Sequence, residues 1–239
     1  MNRREFSKTV ALSAAGFSLL GCAAPPSYTA DELMGRVAPN LVGEAQLRPE
    51  ASAAFDRMAA AARQDGIDIK VVSSYRSYTR QEQIFSGKYQ RFTNEGSAPL
   101  EAIERIIEYS TIPGTSRHHW GSDLDVIQGR KPGQQDSLLA RHFEEGGVYG
   151  ELKLWLDENK ESFGFYEVYT NDPDRKGFSY EPWHLSYRPM SYDMLLAYKE
   201  IDLKAELQSI NLIGSEHFTD EFIDRYIREN ILDINPDLL

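Results

Sequence analysis

Ser116-Arg117-His118-His119-Trp120-Gly121-Ser122-Asp123-Leu124-Asp125-Val126 places two histidines, one glycine and two carboxylates within eleven residues. Leu124 to Ile127 reads as a short strand, preceded by a turn at Gly121. Alternate residues of a strand share a face, so Asp123 and Asp125 point the same way. If the chain turns at Gly121, His118 and Asp125 can both reach one metal ion. His119 is the alternative first ligand, and in extended chain it points away from His118. A second stretch, Glu181-Pro182-Trp183-His184, offers another imidazole and a further carboxylate.

Helices and strands surround these two stretches. Pro49 to Asp65 repeats Ala51, Phe55, Met58 and Ala62 at helical spacing, has Pro49 in the first turn and stops at Gly66. Ile67 to Ser73 alternates as a strand does. Helices are expected over Thr79–Phe92, Leu100–Tyr109 and Val148–Glu161, with a short one near 137–143. Further strands are expected at Phe163–Tyr169 and Trp183–Tyr187, and two helices, Met190–Leu207 and Thr219–Ile231, close the chain. The sum is an α+β fold, a small mostly antiparallel sheet flanked by helices. The expected division is an export signal over 1–22, a tether over 23–47, the site-bearing domain over 48–190 and a helical extension over 191–239.

Composition narrows the function. With 239 residues, 41% of them hydrophobic, the chain can bury one substantial core. The first 21 residues carry +2, and subtracting that from the total of −11 leaves −13 on the remainder. An acidic body without clustered Lys and Arg does not suit nucleic acid. The single cysteine, Cys22, lies in the leader. The body therefore has no disulfide, thiolate zinc site or iron–sulfur cluster, and a metal there has only His and carboxylate ligands.

The leader joins Arg3-Arg4-Glu5-Phe6-Ser7-Lys8 to an apolar run from Val10 to Leu20, too short and too rich in small residues to span a bilayer comfortably. The Arg-Arg-x-Phe-x-Lys order resembles a twin-arginine export signal. Leu19-Leu20-Gly21-Cys22 resembles a lipobox, whose cysteine is acylated and becomes the new N-terminus. Together they predict a folded, exported periplasmic lipoprotein held to a membrane through Cys22.

Zinc in a hydrolase takes three protein ligands and keeps one position open. His118, Asp125 and His184 supply that set, with Asp123 in reach as a partner to an imidazole. Glu181, three residues before His184, is placed to act as general base. Arg76, just past the first strand, carries a fork of donors for a substrate carboxylate or an oxyanion. Ser116, Gln83 and Tyr75 are candidate substrate hydrogen-bonders, and Trp183 is either core or a pocket wall.

Ser74-x-Arg76 with Gln83, Ser116-x-His118-x-x-Gly121-x-Asp123-x-Asp125, and Glu181-x-Trp183-His184 occur in this order. Together they resemble the zinc D-Ala-D-Ala carboxypeptidases. That family includes the vancomycin-resistance D,D-carboxypeptidases and dipeptidases, and shares the hedgehog/D,D-peptidase fold with murein endopeptidases. The match covers roughly Pro49 to Tyr187. The resemblance implies one zinc on His118, Asp125 and His184, Glu181 as the base, and Arg76 stabilising the tetrahedral intermediate or anchoring the substrate. It implies that Ser116 and Gln83 hold the substrate, a peptidoglycan stem peptide. Cross-link endopeptidase activity and non-catalytic wall binding are the alternatives. The family often has Ala where this chain has Asp123.

Overall fold

The computed structural model describes residues 28–131 and 136–239. The leader, its Cys22 and residues 23–27 lie outside these. Among the described residues no helix is long and apolar enough to cross a membrane.

In chain order the elements are α1 (Ala30–Leu33), α2 (Pro49–Gln64), β1 (Ile69–Ser73), α3 (Tyr78–Asn94), α4 (Pro99–Ile107), β2 (Asp123–Gln128), α5 (Gly150–Asn159), β3 (Phe165–Glu167), β4 (His184–Tyr187), α6 (Arg188–Lys199), α7 (Leu203–Gln208) and α8 (Asp220–Tyr226). The four strands form one antiparallel sheet in the order β1-β2-β4-β3. The α+β expectation holds, with the sheet antiparallel throughout.

Strand alternation divides the chemistry between the two faces of β2 and β4. Leu124, Val126, Leu185 and Tyr187 fill one apolar cluster with Phe55 and Met58 of α2 and Leu152, Trp155 and Leu156 of α5. Asp123, Asp125, His184 and Ser186 carry the other parity. In the β2–β4 ladder Asp125 lies opposite His184, and Asp123 opposite Ser186. The register between β1 and β2 shifts between Val71 and Ser73. Such an irregularity bends a strand and re-aims the chain beyond it. Here that chain is Ser74-Tyr75-Arg76, which folds back so that the Arg76 N–H donates to the His118 carbonyl at 3.0 Å.

Both segments that flank the expected domain pack against it. Residues 28–47, assigned to a tether, pack on the domain: Leu33, Met34 and Leu47 are buried. The Trp120 indole donates to the Leu33 carbonyl at 3.1 Å, and Arg48 Nε to the Trp120 carbonyl at 2.8 Å. Residues 191–239 are likewise no appendage. Met194, Leu195, Tyr198, Leu207, Phe222, Ile223 and Tyr226 share one cluster with Phe85, Ile103 and Ile106 of α3 and α4. The expected helix Met190–Leu207 is two, α6 and α7, the second capped by the Asp202 side chain on the Ala205 N–H. Thr219–Ile231 is α8 continued by a π turn.

Candidate active site

Ser116 leads into a single 3-10 turn, Arg117–Trp120, which ends on Gly121 at φ +69. A side chain is strained at that φ, and a Cβ would meet Leu41 at 2.9 Å. The two histidines do diverge, but because successive residues of a 3-10 turn are rotated by about a third of a turn, not because the chain is extended. His118 turns to the cavity. His119 turns inward: Nδ1 donates to the Arg76 carbonyl at 2.5 Å, and Nε2 accepts from the Gly114 N–H at 3.2 Å. Burial pushes His119 down to about 4, so the ring stays neutral and braces the Arg76 loop. It offers no nitrogen to a cation.

His118, Asp125 and His184 are buried, and each presents a ligand atom within 4.8 Å of the others. His118 Nδ1 donates to the Ser74 carbonyl at 2.8 Å, which leaves Nε2 facing Asp125 Oδ2 at 3.3 Å. The two imidazoles stack at 4.7 Å. His184 Nδ1 faces Glu181 Oε2 at 3.1 Å and Asp125 Oδ1 at 4.0 Å. Asp125 Oδ1 is buried with no hydrogen-bond partner among the described residues. An orphaned buried carboxylate oxygen between two imidazoles is costly unless a cation completes it. The donor set, two nitrogens and a carboxylate oxygen, fits zinc.

Burial penalises charge on His118 and lowers its pKa against the pull of Asp125. Burial alone would raise Asp125, but the imidazoles of His118 and His184, with Arg76, hold it low. Burial likewise works against a charged His184, yet hydrogen bonds to Asp123 and Glu181 push it up to about 10. A cation arriving at Nδ1 therefore displaces a proton. Glu181 is raised, chiefly by burial, with Asp125 adding to the shift and His184 opposing it. A raised carboxyl is the form suited to taking and returning a proton near neutrality.

These groups line one cavity of about 310 Å3 with Arg76, Ser116, Lys88, Tyr109, Tyr169 and Trp183. Trp183 is both pocket wall and core, buried against Phe143 at 5.8 Å between ring centroids. Tyr75 is half-buried outside that lining, and burial raises its phenol. Gln83 is exposed, and its Oε1 accepts a 3.4 Å bond from Arg80. The glutamine that reaches the site is Gln81. Its Oε1 accepts from Arg76 Nη1 at 2.8 Å, and its amide donates to the Thr111 carbonyl at 2.7 Å. Ser73 Oγ accepts from Arg76 Nη2 at 3.0 Å. The signal for Gln81 lies in helix spacing: with Phe85, Tyr89 and Phe92 it forms the buried stripe of α3, and Gln83 falls outside it.

The sequence profile of the VanY D-alanyl-D-alanine carboxypeptidases matches residues 44–190. The chain belongs to the VanY family. Similar curated proteins include one described as the carboxypeptidase YodJ of Bacillus subtilis (strain 168), 34% identical over 144 residues, with 59% of this chain and 46% of that protein covered. A D-alanyl-D-alanine carboxypeptidase of Enterococcus faecalis (strain ATCC 700802 / V583) is 33% identical over 128 residues, covering 53% of this chain and 42% of that protein. The chain thus spans less than half the length of either relative. Among solved structures, VanYB in complex with D-alanine-D-alanine superposes with a TM-score of 0.52 at 24% identity, over 73% of this chain and 91% of that one. That likeness assigns the VanY-type fold. The profile begins before the expected boundary at 48 and ends within the first turn of α6, so most of the packed C-terminal helices lie beyond it.

Proposed function

We propose that the protein is a zinc-dependent D-alanyl-D-alanine carboxypeptidase acting on peptidoglycan stem peptides. One observation carries this reading: the three buried ligand candidates open into the cavity that also holds Glu181 and Arg76. VanY family membership and the Enterococcus faecalis carboxypeptidase support the substrate class.

His118 Nε2, Asp125 and His184 Nδ1 would hold the zinc, which when bound supplies Lewis acidity to a water and to the scissile carbonyl. Glu181 would take a proton from the attacking water as the water oxygen bonds to the carbonyl carbon. The carbonyl oxygen gains negative charge, and the Arg76 guanidinium, held by Gln81 and Ser73, donates to it or to the terminal carboxylate. Glu181 returns the proton to the nitrogen as the C–N bond breaks, leaving a shortened peptide and free D-alanine. Ser116 donates or accepts at the substrate's peptide group, and Tyr109, Phe178 and Trp183 give the cavity apolar walls. Gln83 has no part in this site.

Export through the twin-arginine-like leader and membrane attachment at Cys22 belong to the same proposal and rest on the sequence of residues 1–22. They place the enzyme beside its substrate.

The test is Glu181→Gln. It keeps the side chain's shape and removes its basicity. The variant should fold and bind one zinc per chain while turnover falls about 100- to 10,000-fold. Turnover within threefold of wild type removes Glu181 from the role of base.

A further inference from the structure

Asp123 has no task in the reaction as proposed, yet it is completely buried and accepts hydrogen bonds on both oxygens. Its Oδ1 accepts from Ser122 Oγ and Ser186 Oγ, both at 2.8 Å. Its Oδ2 accepts from Arg117 Nε at 2.8 Å and faces His184 Nε2 at 3.2 Å. Arg117 is itself buried, spans to Ser186 Oγ through Nη2 at 2.7 Å, and lies over the Trp120 ring at 4.4 Å. The strand register explains the meeting. Asp123 and Asp125 flank His184 on one face, because Asp125 pairs with His184 and Asp123 with Ser186.

His184 therefore has a carboxylate on each side of its ring. Nδ1 looks towards Glu181 and Asp125, and Nε2 towards Asp123. A half-turn of the ring would set carbon atoms against these carboxylates and forfeit both bonds. His118 obtains the same service from a neutral backbone carbonyl, that of Ser74. His184 obtains it from a charged side chain whose own geometry a buried guanidinium fixes.

We propose that Asp123, held by Arg117, is a positioning residue. It retains the Nε2 proton of His184 inside the strand pair and so presents Nδ1 to the metal centre. The inference rests on the zinc reading of the site and deepens it. Acceptors behind a ligating imidazole fix its tautomer and orientation, and their loss typically costs 10- to 100-fold in metal affinity. Asp123→Ala alone strands the buried Arg117 cation and threatens the fold. The paired variant Arg117→Met/Asp123→Ala removes both charges together, and Asp123→Asn keeps an acceptor but no charge.

The experiment is zinc titration of the full chain against a competing chelator, with circular dichroism to establish folding. Nitrogen NMR of the cadmium-loaded protein adds which His184 nitrogen couples to the metal. Folded Arg117→Met/Asp123→Ala should bind zinc about 10- to 100-fold more weakly, with Asp123→Asn between it and wild type. Wild-type cadmium should couple to Nδ1 of His184, and its Nε2 proton should be observable and become lost to solvent exchange in the paired variant. Wild-type zinc affinity within twofold in the folded paired variant, or wild-type coupling to Nε2, overturns the inference and leaves the zinc reading standing. A wild-type chain that takes up neither metal instead overturns the zinc reading.

Discussion

Replacing Gln81 by methionine separates the buried glutamine from its exposed neighbour on the same helix. Methionine keeps the length and apolar bulk of the side chain but none of its polar atoms. Three bonds disappear: the one from the Arg76 guanidinium at 2.8 Å, the one to the Thr111 carbonyl at 2.7 Å and a longer one to the Ser110 hydroxyl at 3.3 Å. A bond to a charged group contributes about 1.5–3 kcal/mol, and a buried acceptor left without a partner costs about 1–3 kcal/mol. The variant should therefore lose about 2.5–6 kcal/mol of stability. Arg76 also loses one of its two side-chain anchors, Ser73 being the other. A guanidinium that wanders from the reacting carbonyl should lower kcat/KM about 10- to 100-fold, about 1.4–2.7 kcal/mol of lost transition-state stabilisation. Chemical denaturation gives the first quantity and steady-state hydrolysis of a D-Ala-D-Ala peptide the second. Gln83→Ala is the control, with stability within about 0.5 kcal/mol of wild type and unchanged kinetics. Equal behaviour of the two variants, or a kinetic loss confined to Gln83→Ala, refutes the assignment of Arg76's support to Gln81.

Truncation after residue 190 should give a chain that does not fold cooperatively. It strips more than ten large apolar side chains from the core shared with α3 and α4, each contributing roughly 1.5–3 kcal/mol, against roughly 5–15 kcal/mol of net stability for a whole domain. A sharp thermal transition in the 28–190 fragment would show the C-terminal helices to be dispensable. Cys22→Ser should move the protein from the membrane to the soluble fraction of fractionated cells, and continued membrane association would remove Cys22 as the anchor.

Most of the site is legible in the sequence because strand alternation and turn chemistry are local. Asp125 and His184 share a face and a ladder pair, and a two-residue period puts each on the correct face of its strand without tertiary knowledge. Ser116, His118 and Glu181 flank those strands and come along with them. The hidden features depend on packing across the chain. Strand alternation already marks Asp123 as a partner to an imidazole, but nothing local reveals Arg117 folding over Trp120 to pair with it. Gln83 is the glutamine the motif suggests, although the buried stripe of α3 runs through Gln81, Phe85, Tyr89 and Phe92. The span 28–47 resembles a linker in its Pro39-Asn40 pair. Its role emerges only where the Leu33 carbonyl caps the Trp120 indole and Gly35 leaves room for the His119 ring, which a Cβ would meet at 2.3 Å. The helix break at Glu200–Asp202 is signalled by Asp202 as a capping residue, but the continuous apolar pattern from Met194 to Leu207 masks it.

If the His118, Asp125 and His184 cluster works as a zinc centre that cuts D-Ala-D-Ala, the products of one defined peptide will show it. The measurement is mass spectrometry of a stem pentapeptide ending in D-Ala-D-Ala, incubated with the chain before and after chelation. The expected result is loss of one D-alanine, abolished by removing metal and restored by stoichiometric zinc. A pentapeptide left intact by zinc-loaded protein, or cut equally well by metal-free protein, would contradict the zinc mechanism.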